Sequence, residues 1–418
     1  MTRLSIPAAA AALACVMGTQ AACGRGSTPP PPPDAGWPIP VERVASPAGP
    51  ASAQPQLTAS SRGILLSWLE NAGSETRLRF AERTPTGWSE PRTIAAGADF
   101  FANYADVPSV RRTSNGTLVA HWLRRNSPQT SGYDIEIVRS SDDGRTWSAP
   151  FSPHHDGTKT QHGFASFFER PGAAEPFGVV WLDGRATTPA SNPDDDAVGE
   201  MTLRSARFDA AWQQRGEDAI DLRVCDCCPT SAAATADGVV VAYRDRSGDE
   251  IRDISVSRFA GGAWSEPAAV HHDGWKIDGC PVNGPAVTAS GRDVAVAWFS
   301  APHDEGHAFV AFSRDEGRTF GAPVRVDEAG ALGRVDLAGG PDGSVVVSWI
   351  ELADRHASFR VRRVTREGGR SPSVTVADVT ANRNTAYPRI ALHDRDLVFA
   401  WTATDDSLRV QTAAASLR

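Results

Sequence analysis

The sequence predicts an all-β fold, a seven-bladed β-propeller of four-stranded antiparallel blades closed by an N-terminal outer strand. Three observations carry this. First, seven apolar runs end in Trp or Tyr, at Trp68, Trp122, Trp181, Tyr243, Trp298, Trp349 and Trp401, with gaps of 51 to 62 residues. Second, an aromatic followed by a small residue and Pro recurs after the early runs, as in Trp88-Ser89-Glu90-Pro91. Third, the last run has no such partner before the chain stops, whereas Trp37-Pro38-Ile39-Pro40 supplies one at the other end. A fixed period of this length marks a ring of sheets.

The chain has 418 residues, 37 Gly and 30 Pro. A formal net charge of -8 gives no basic surface for nucleic acid. Residues 1–22 read as an export signal: Arg3, then an apolar Ala-rich stretch from Leu4 to Ala22. Gln20-Ala21-Ala22-Cys23 resembles the bacterial lipoprotein signal, with Gln20 where that signal prefers Leu. The resemblance implies a lipid on Cys23. Residues 23–36 then form a linker whose five prolines, Pro29 to Pro33, favour an extended spacer. The expected location is the bacterial periplasm or outer membrane, with the membrane reached by the lipid anchor only.

Residues 37–418 form the propeller. Each apolar run reads as a buried strand after a tight turn such as Ser114-Asn115-Gly116 or Pro341-Asp342-Gly343. Each aromatic-x-x-Pro segment reads as the start of an outer edge strand, where Pro is tolerated: Trp88, Trp147, Trp212, Trp264 and Phe320 mark the first five blades, and Ser371-Pro372 the sixth. Eleven of the 12 Trp then fall at core positions; Trp275 is the exception.

Ser140-x-Asp142-x-Gly144-x-Thr146-Trp147 and Ser313-x-Asp315-x-Gly317-x-Thr319-Phe320 resemble Asp-boxes, the hairpin motif of bacterial neuraminidase repeats. The Asp and Ser side chains can bond turn amides and Gly can supply positive φ. The resemblance implies a sialidase-like propeller in which the boxes are structural and lie away from the active face. Sialidases of this type have six blades, one fewer than here.

The loops that lead into inner strands, and those after second strands, share one face around the axis. They hold Asp183-Gly184-Arg185, Arg244-Asp245-Arg246 with Glu250 and Asp253, His154-His155-Asp156, His271-His272-Asp273-Gly274-Trp275 and Tyr387-Pro388-Arg389-Ile390. Sialidases grip a carboxylate with three arginines and add a Tyr–Glu nucleophile pair and an Asp acid/base. Arg185, Arg244, Arg246 and Arg389 could supply such arginines, Tyr387 (or Tyr104) a nucleophile with Glu250 as its base, and Asp245 an acid/base, while the resemblance itself carries over only to Arg389. Arg389-Ile390 is similar to the family's Arg-Ile-Pro motif, though Pro388 precedes the arginine. Trp275, Arg389, Arg244, Arg246 and His272 are the ligand-binding candidates, Trp275 as a stacking platform.

Cys225, Cys227, Cys228 and Cys280 remain once Cys15 of the leader and Cys23 are set aside, and blade alignment sets Cys227 opposite Cys280. An exported chain with an even count favours two disulfides. The alternative is a Cu or Zn site, with His162, His271 or His272 nearby, although the spacing departs from the paired Cys-x2-Cys of standard zinc sites. A calcium site at Asn192-Pro193-Asp194-Asp195-Asp196 is weaker than a solvated loop. No cofactor is favoured.

The leading expectation is a monomeric envelope protein that binds a small anionic or glycan-like ligand, or another envelope protein. The alternatives are a sialidase-type glycoside hydrolase and a metal or redox protein.

Overall fold

The structure is a computed structural model that describes residues 37–128, 131–188, 198–382, 387–404 and 408–417. The leader, Cys23, the proline linker and the acidic run at 192–196 lie outside the described residues.

Among the described residues seven antiparallel blade sheets follow one another along the chain, with a two-stranded ribbon, Thr187–Thr188 against Val198–Gly199, set between the second and third strands of blade 3. Blade 1 is Ser52–Ser60, Gly63–Asn71, Thr76–Thr84 and Arg92–Gly97. Blade 3 is His162–Glu169, Phe177–Asp183, Met201–Phe208 and Gln214–Val224; blade 4 is Ser231–Ala234, Gly238–Arg244 and Ile254–Ala260 with Ala263–Trp264 and Ala268–Ala269; blade 5 is Ala286–Ser290, Asp293–Ser300, His307–Ser313 and Val324–Arg325; and blade 6 runs Ala331–Gly339, Val345–Ala353, His356–Val364 and Val374–Val379. Blade 2 has three full strands, and its fourth position is a single bridge between Ile137 and Phe151. Blade 7 closes as expected: Glu42–Val44 pairs antiparallel with Arg409–Ser416, with Arg43 opposite Ala413. The chain's first strand and its last thereby share one sheet, which removes the free edge an open ring would leave.

The aromatic ends of the second strands are core. Trp68, Trp181 and Trp349 are 0% exposed, and Trp298 and Trp401 nearly so. A buried indole N–H needs an acceptor. Several repeats provide it two residues on: Trp68 Nε1 donates to Glu70, Trp181 Nε1 to Asp183 at 2.8 Å and Trp349 Nε1 to Glu351. The second aromatic joins neighbouring blades. Trp147 of blade 2 stands edge-on to Phe80 of blade 1, Trp264 of blade 4 edge-on to Phe168 of blade 3, and Trp88 of blade 1 donates to Thr412 of blade 7. Trp147 and Phe320 follow the Asp-box turn and precede the outer strand instead of beginning it.

Both Asp-boxes form the turn their residues predict. Asp142 Oδ1 accepts the amides of Arg145 at 3.1 Å and Thr146 at 2.9 Å, and Ser140 Oγ accepts that of Gly144 at 2.8 Å. Asp315 and Ser313 repeat this with Thr319 and Gly317. These bonds favour the charged carboxylate, and Asp315 is drawn down to about 2 even against its partial burial. Gly144 sits at φ +79°, where a Cβ would come within 2.5 Å of Phe80.

Candidate functional site

The inner strands of all seven blades converge on the axis around a cavity of about 160 Å3. Three of those strands break register where they reach it. Gln54 in blade 1, Phe164 in blade 3 and Arg334 in blade 6 all have positive φ, at 58°, 53° and 55°. Each lies inside a β-bulge, between Ala53 and Gln56, Gly163 and Ser166, and Gly333 and Asp336. A bulge re-aims the backbone groups and side chains beside it. Here it turns the Phe164 amide toward Asp106, whose Oδ2 accepts it at 2.7 Å. Gly163 is required beside it, since a Cβ there would fall 2.1 Å from that oxygen.

The cavity wall carries Asp106, Arg111, His121, Asp336, Tyr387 and Arg389. Burial raises Asp106 to about 7, the Phe164 amide opposing only in part. Burial also raises Asp336, with the Arg389 charge opposing, and lowers the neighbouring cation Arg111. His121 is lowered to about 4 by burial, so it is neutral at pH 7. Its Nδ1 lies 3.1 Å from Ser109 Oγ, while its Nε2 has no partner. Gln56 Oε1 and Arg389 Nε, on the same wall, also lack partners among the described residues. Asp106, Arg111, His121 and Asp336 were not among the residues expected from sequence. Arg111 and Asp336 are polar residues within inner strands, Ser109–Arg112 and Ala331–Gly339, whereas Asp106 lies in the loop before the first of these and His121 in the second strand of blade 2.

Of the arginines expected to converge, only Arg389 reaches this cavity. Arg185 makes a two-pronged bond to Asp183, at 2.7 and 2.8 Å, and a further pair with Glu217 at 2.8 Å. Arg244 is 1% exposed and donates to the carbonyls of Asn283, Arg252 and Phe299, which makes it a clamp between blades. Arg246 grips Glu250 through Nε and the terminal nitrogen. Glu250 also takes Arg252 at 2.9 Å and Arg223 at 3.1 Å. Those bonds, Arg246 first, pull it to about 2, which makes it a poor base. Tyr387 does not meet Glu250; its hydroxyl donates to the Val282 carbonyl. Asp245 accepts from Ser255 and from the Arg246 amide, and burial raises it. The three-arginine grip with a Tyr–Glu pair is therefore not assembled. The charges satisfy one another because partial burial penalises any left alone.

Trp275 is also corrected. It is buried, with the Arg244 guanidinium 4.8 Å from its ring centre and Phe299 edge-on at 5.4 Å. Its amide and that of Gly274 are held by Asp253. It plugs its loop and offers no open face for a sugar. His272 is exposed on the same loop.

His162 lies in a second cluster. Its Nε2 is 3.1 Å from Asp156 and 3.8 Å from Asp183, and Asp134 stands 3.5 Å from Nδ1. These carboxylates raise its pKa against the effect of burial. His154 stacks on it, rings 3.8 Å apart and 7° from parallel. A cation in the plane of one ring would lie well out of the plane of the other, so the two rings cannot both ligate one ion, although Asp156, His162 and Asp183 bring three ligand atoms within 4.8 Å of one another.

The cysteines come together as free thiols. Cys225 Sγ is 3.4 Å from Cys228 Sγ and 3.7 Å from Cys227 Sγ. Cys280 arrives from the next blade, with Asp226, Cys227 and Cys280 offering ligand atoms within 4.8 Å of one another. No S–S bond links any pair of the four. Hydrogen bonds from Cys227 and Cys228 hold Cys225 well below the usual thiol range. Cys227 is pushed up mainly through its bonds with Cys225 and Cys228, and Cys228 mainly by burial.

A BNR repeat-like domain matches residues 70–273. No curated protein matches the chain. Among solved structures, the chain is similar to a polysaccharide lyase, an ulvan lyase bound to -[GlcA(1-4)Rha3S]-, with 10% identity, TM-score 0.53, and 91% of this chain and 94% of that one covered. It is similar to the polysaccharide lyase Uly1, with 10% identity and TM-score 0.50 over 90% of this chain and 92% of that one. A protein of unknown function from Dyadobacter fermentans aligns with 14% identity and TM-score 0.50, over 90% and 97%. At these identities the likeness is one of fold.

Proposed function

We propose that this chain, a seven-bladed BNR-repeat propeller of sialidase-like fold, is a binding protein that takes the carboxylate of a small acidic ligand, an acidic sugar above all, into its axial cavity. One observation carries the reading: Arg111 and Arg389 line a polar cavity in which three side-chain atoms have no partner among the described residues. Buried polar atoms are nearly always satisfied, so the wall lacks something that donates and accepts. The wall holds two guanidinium groups against two carboxyl groups whose pKa burial raises, Asp106 to about 7, so positive charge is in excess there at neutral pH. A volume of about 160 Å3 is close to what holds one benzene ring, so it admits one group of a ligand and no length of chain. The ulvan lyase was solved with a glucuronate-containing unit, which is consistent with acidic sugars as the first ligands to try, although that protein shares only the fold. Catalysis is no part of the reading, because Glu250 is clamped and the Tyr387 hydroxyl is engaged. The reading includes export and a lipid anchor at Cys23, supported by the Arg3–Ala22 leader pattern and the proline spacer.

The test is calorimetric titration with glucuronate, N-acetylneuraminate and neutral glucose. The acids are expected to bind and glucose not. Arg389→Ala is expected to weaken binding by about tenfold or more, roughly 1.4 kcal/mol, while remaining folded. Equal binding of glucose, or unchanged affinity in Arg389→Ala, would overturn the proposal.

A further inference from the structure

The four cysteines stand apart from that cavity in chemistry, though Pro229 and Gly284, each close in sequence to one arm of the cluster, line its wall. Three features of the cluster call for a common explanation.

The first is spacing. A disulfide needs sulfurs about 2.05 Å apart. Thiolates around one tetrahedral ion, at a metal–sulfur distance of about 2.3 Å, sit about 3.8 Å from one another. The observed 3.4 and 3.7 Å separations fall near the second value. Cys225 and Cys228 also form a Cys-x2-Cys pair, a chelating spacing that the crowded run Cys225-Asp226-Cys227-Cys228 conceals.

The second is the set of groups around the sulfurs. Arg252 reaches Cys225 Sγ at 3.4 Å, and the Asn283 amide donates to Cys228 Sγ at 3.3 Å. Arg252 is itself fixed by Glu250. Amide and guanidinium donors directed at sulfur are the partners that thiolate ligands keep. Arg244, held rigidly by three carbonyls, adds a second fixed positive charge nearby. Four thiolates around a divalent ion carry two net negative charges, as do three around a monovalent ion. Two arginines balance either.

The third is depth. Cys225 and Cys228 are buried, Cys227 is half-buried and Cys280 is exposed. The sulfurs run from the interior to the surface, so an ion could enter past Cys280 and settle on the other three.

We infer that Cys225, Cys227 and Cys228, with Cys280 as the outermost ligand, bind one soft d10 metal cation, Cu(I) or Zn(II), between blades 4 and 5. Each coordinating thiol gives up its proton to solvent on binding, and no electron transfer is involved. The site differs from the axial cavity in ligand and in residues, so either assignment can fail alone.

The experiment is an anaerobic titration of reduced protein with Cu(I), and separately with Zn(II), against a chromophoric chelator. X-ray absorption and thiol alkylation are read on the loaded protein. One ion per chain is expected, with an all-sulfur shell at about 2.3 Å. Three sulfurs with Cys280 still alkylated would identify Cu(I); four sulfurs with every thiol protected would identify Zn(II). Cys225→Ser is expected to weaken binding about 100-fold or more. Should that buried variant not fold, half-buried Cys227→Ser decides the same point, and exposed Cys280→Ser should fold and lose one sulfur from a four-sulfur shell. The assignment fails if neither ion competes with the chelator, if the shell is mainly nitrogen and oxygen, or if Cys227→Ser binds as well as the parent. It fails equally if protein isolated in air without reductant carries two disulfides among the four cysteines, a mass lower by four hydrogens.

Discussion

Asp106→Asn should make the protein more stable at pH 8 while changing it little at pH 4. Asp106 is 2% exposed, and burial holds its pKa at about 7 against a usual 3.8. An acid whose pKa is raised by folding keeps its proton in the native state after the unfolded chain has lost it. Stability therefore falls as pH rises from about 4 to about 7, then levels. A shift of about three units, at 1.36 kcal/mol each, makes the loss on the order of 4 kcal/mol, an upper figure. Asn keeps an oxygen for the Phe164 amide and has no charge to bury. The assay is urea denaturation of both proteins at several pH values. The informative quantity is their difference, because His121, lowered to about 4 by burial, drives stability the other way, upward as pH rises from about 4 to about 6.5. The variant's advantage should grow across the window from pH 4 to 7 and stay constant above it. A difference that does not change with pH would refute the reasoning, and with it the account of the cavity as a place where a carboxylate is kept partly protonated.

Two other substitutions test the frame. Gly144→Ala should cost about 1–3 kcal/mol by overpacking, because its Cβ would meet Phe80, beyond the penalty of positive φ that Gly116→Ala pays in open space; equal melting losses in the two would remove the clash from the account. Arg244→Lys should lose about 2 kcal/mol or more in denaturant unfolding, since one ammonium cannot reach the carbonyls of Asn283, Arg252 and Phe299 together, and an unaltered midpoint would show the clamp to be dispensable.

The ring, its blade count, its closure and the Asp-box turns were legible because each depends on local pattern repeated at a period. A Trp at the end of an apolar run is buried whichever blade it belongs to, and Ser140, Asp142 and Gly144 bond within five residues of one another. Trp147 was placed a few residues out, because the seam it fills exists only between two finished blades.

The site was legible in part. Cys227 and Cys280 could be set opposite each other by counting along the repeat, and they do meet. Arg389 could be placed at the axis by the same count. What counting could not decide was which charge pairs with which. Arg246 and Glu250, separate candidates in the sequence, bind each other, and Arg185 binds Asp183. Asp106 and Asp336 looked ordinary, yet burial at the axis shifts both carboxyls upward. Sequence alone thus determined the periodic architecture, since burial along a strand follows from the order of residues. Only the tertiary structure decided the chemistry of the centre. Hydrogen bonds and desolvation there join residues from different blades, and no local pattern records how near they come.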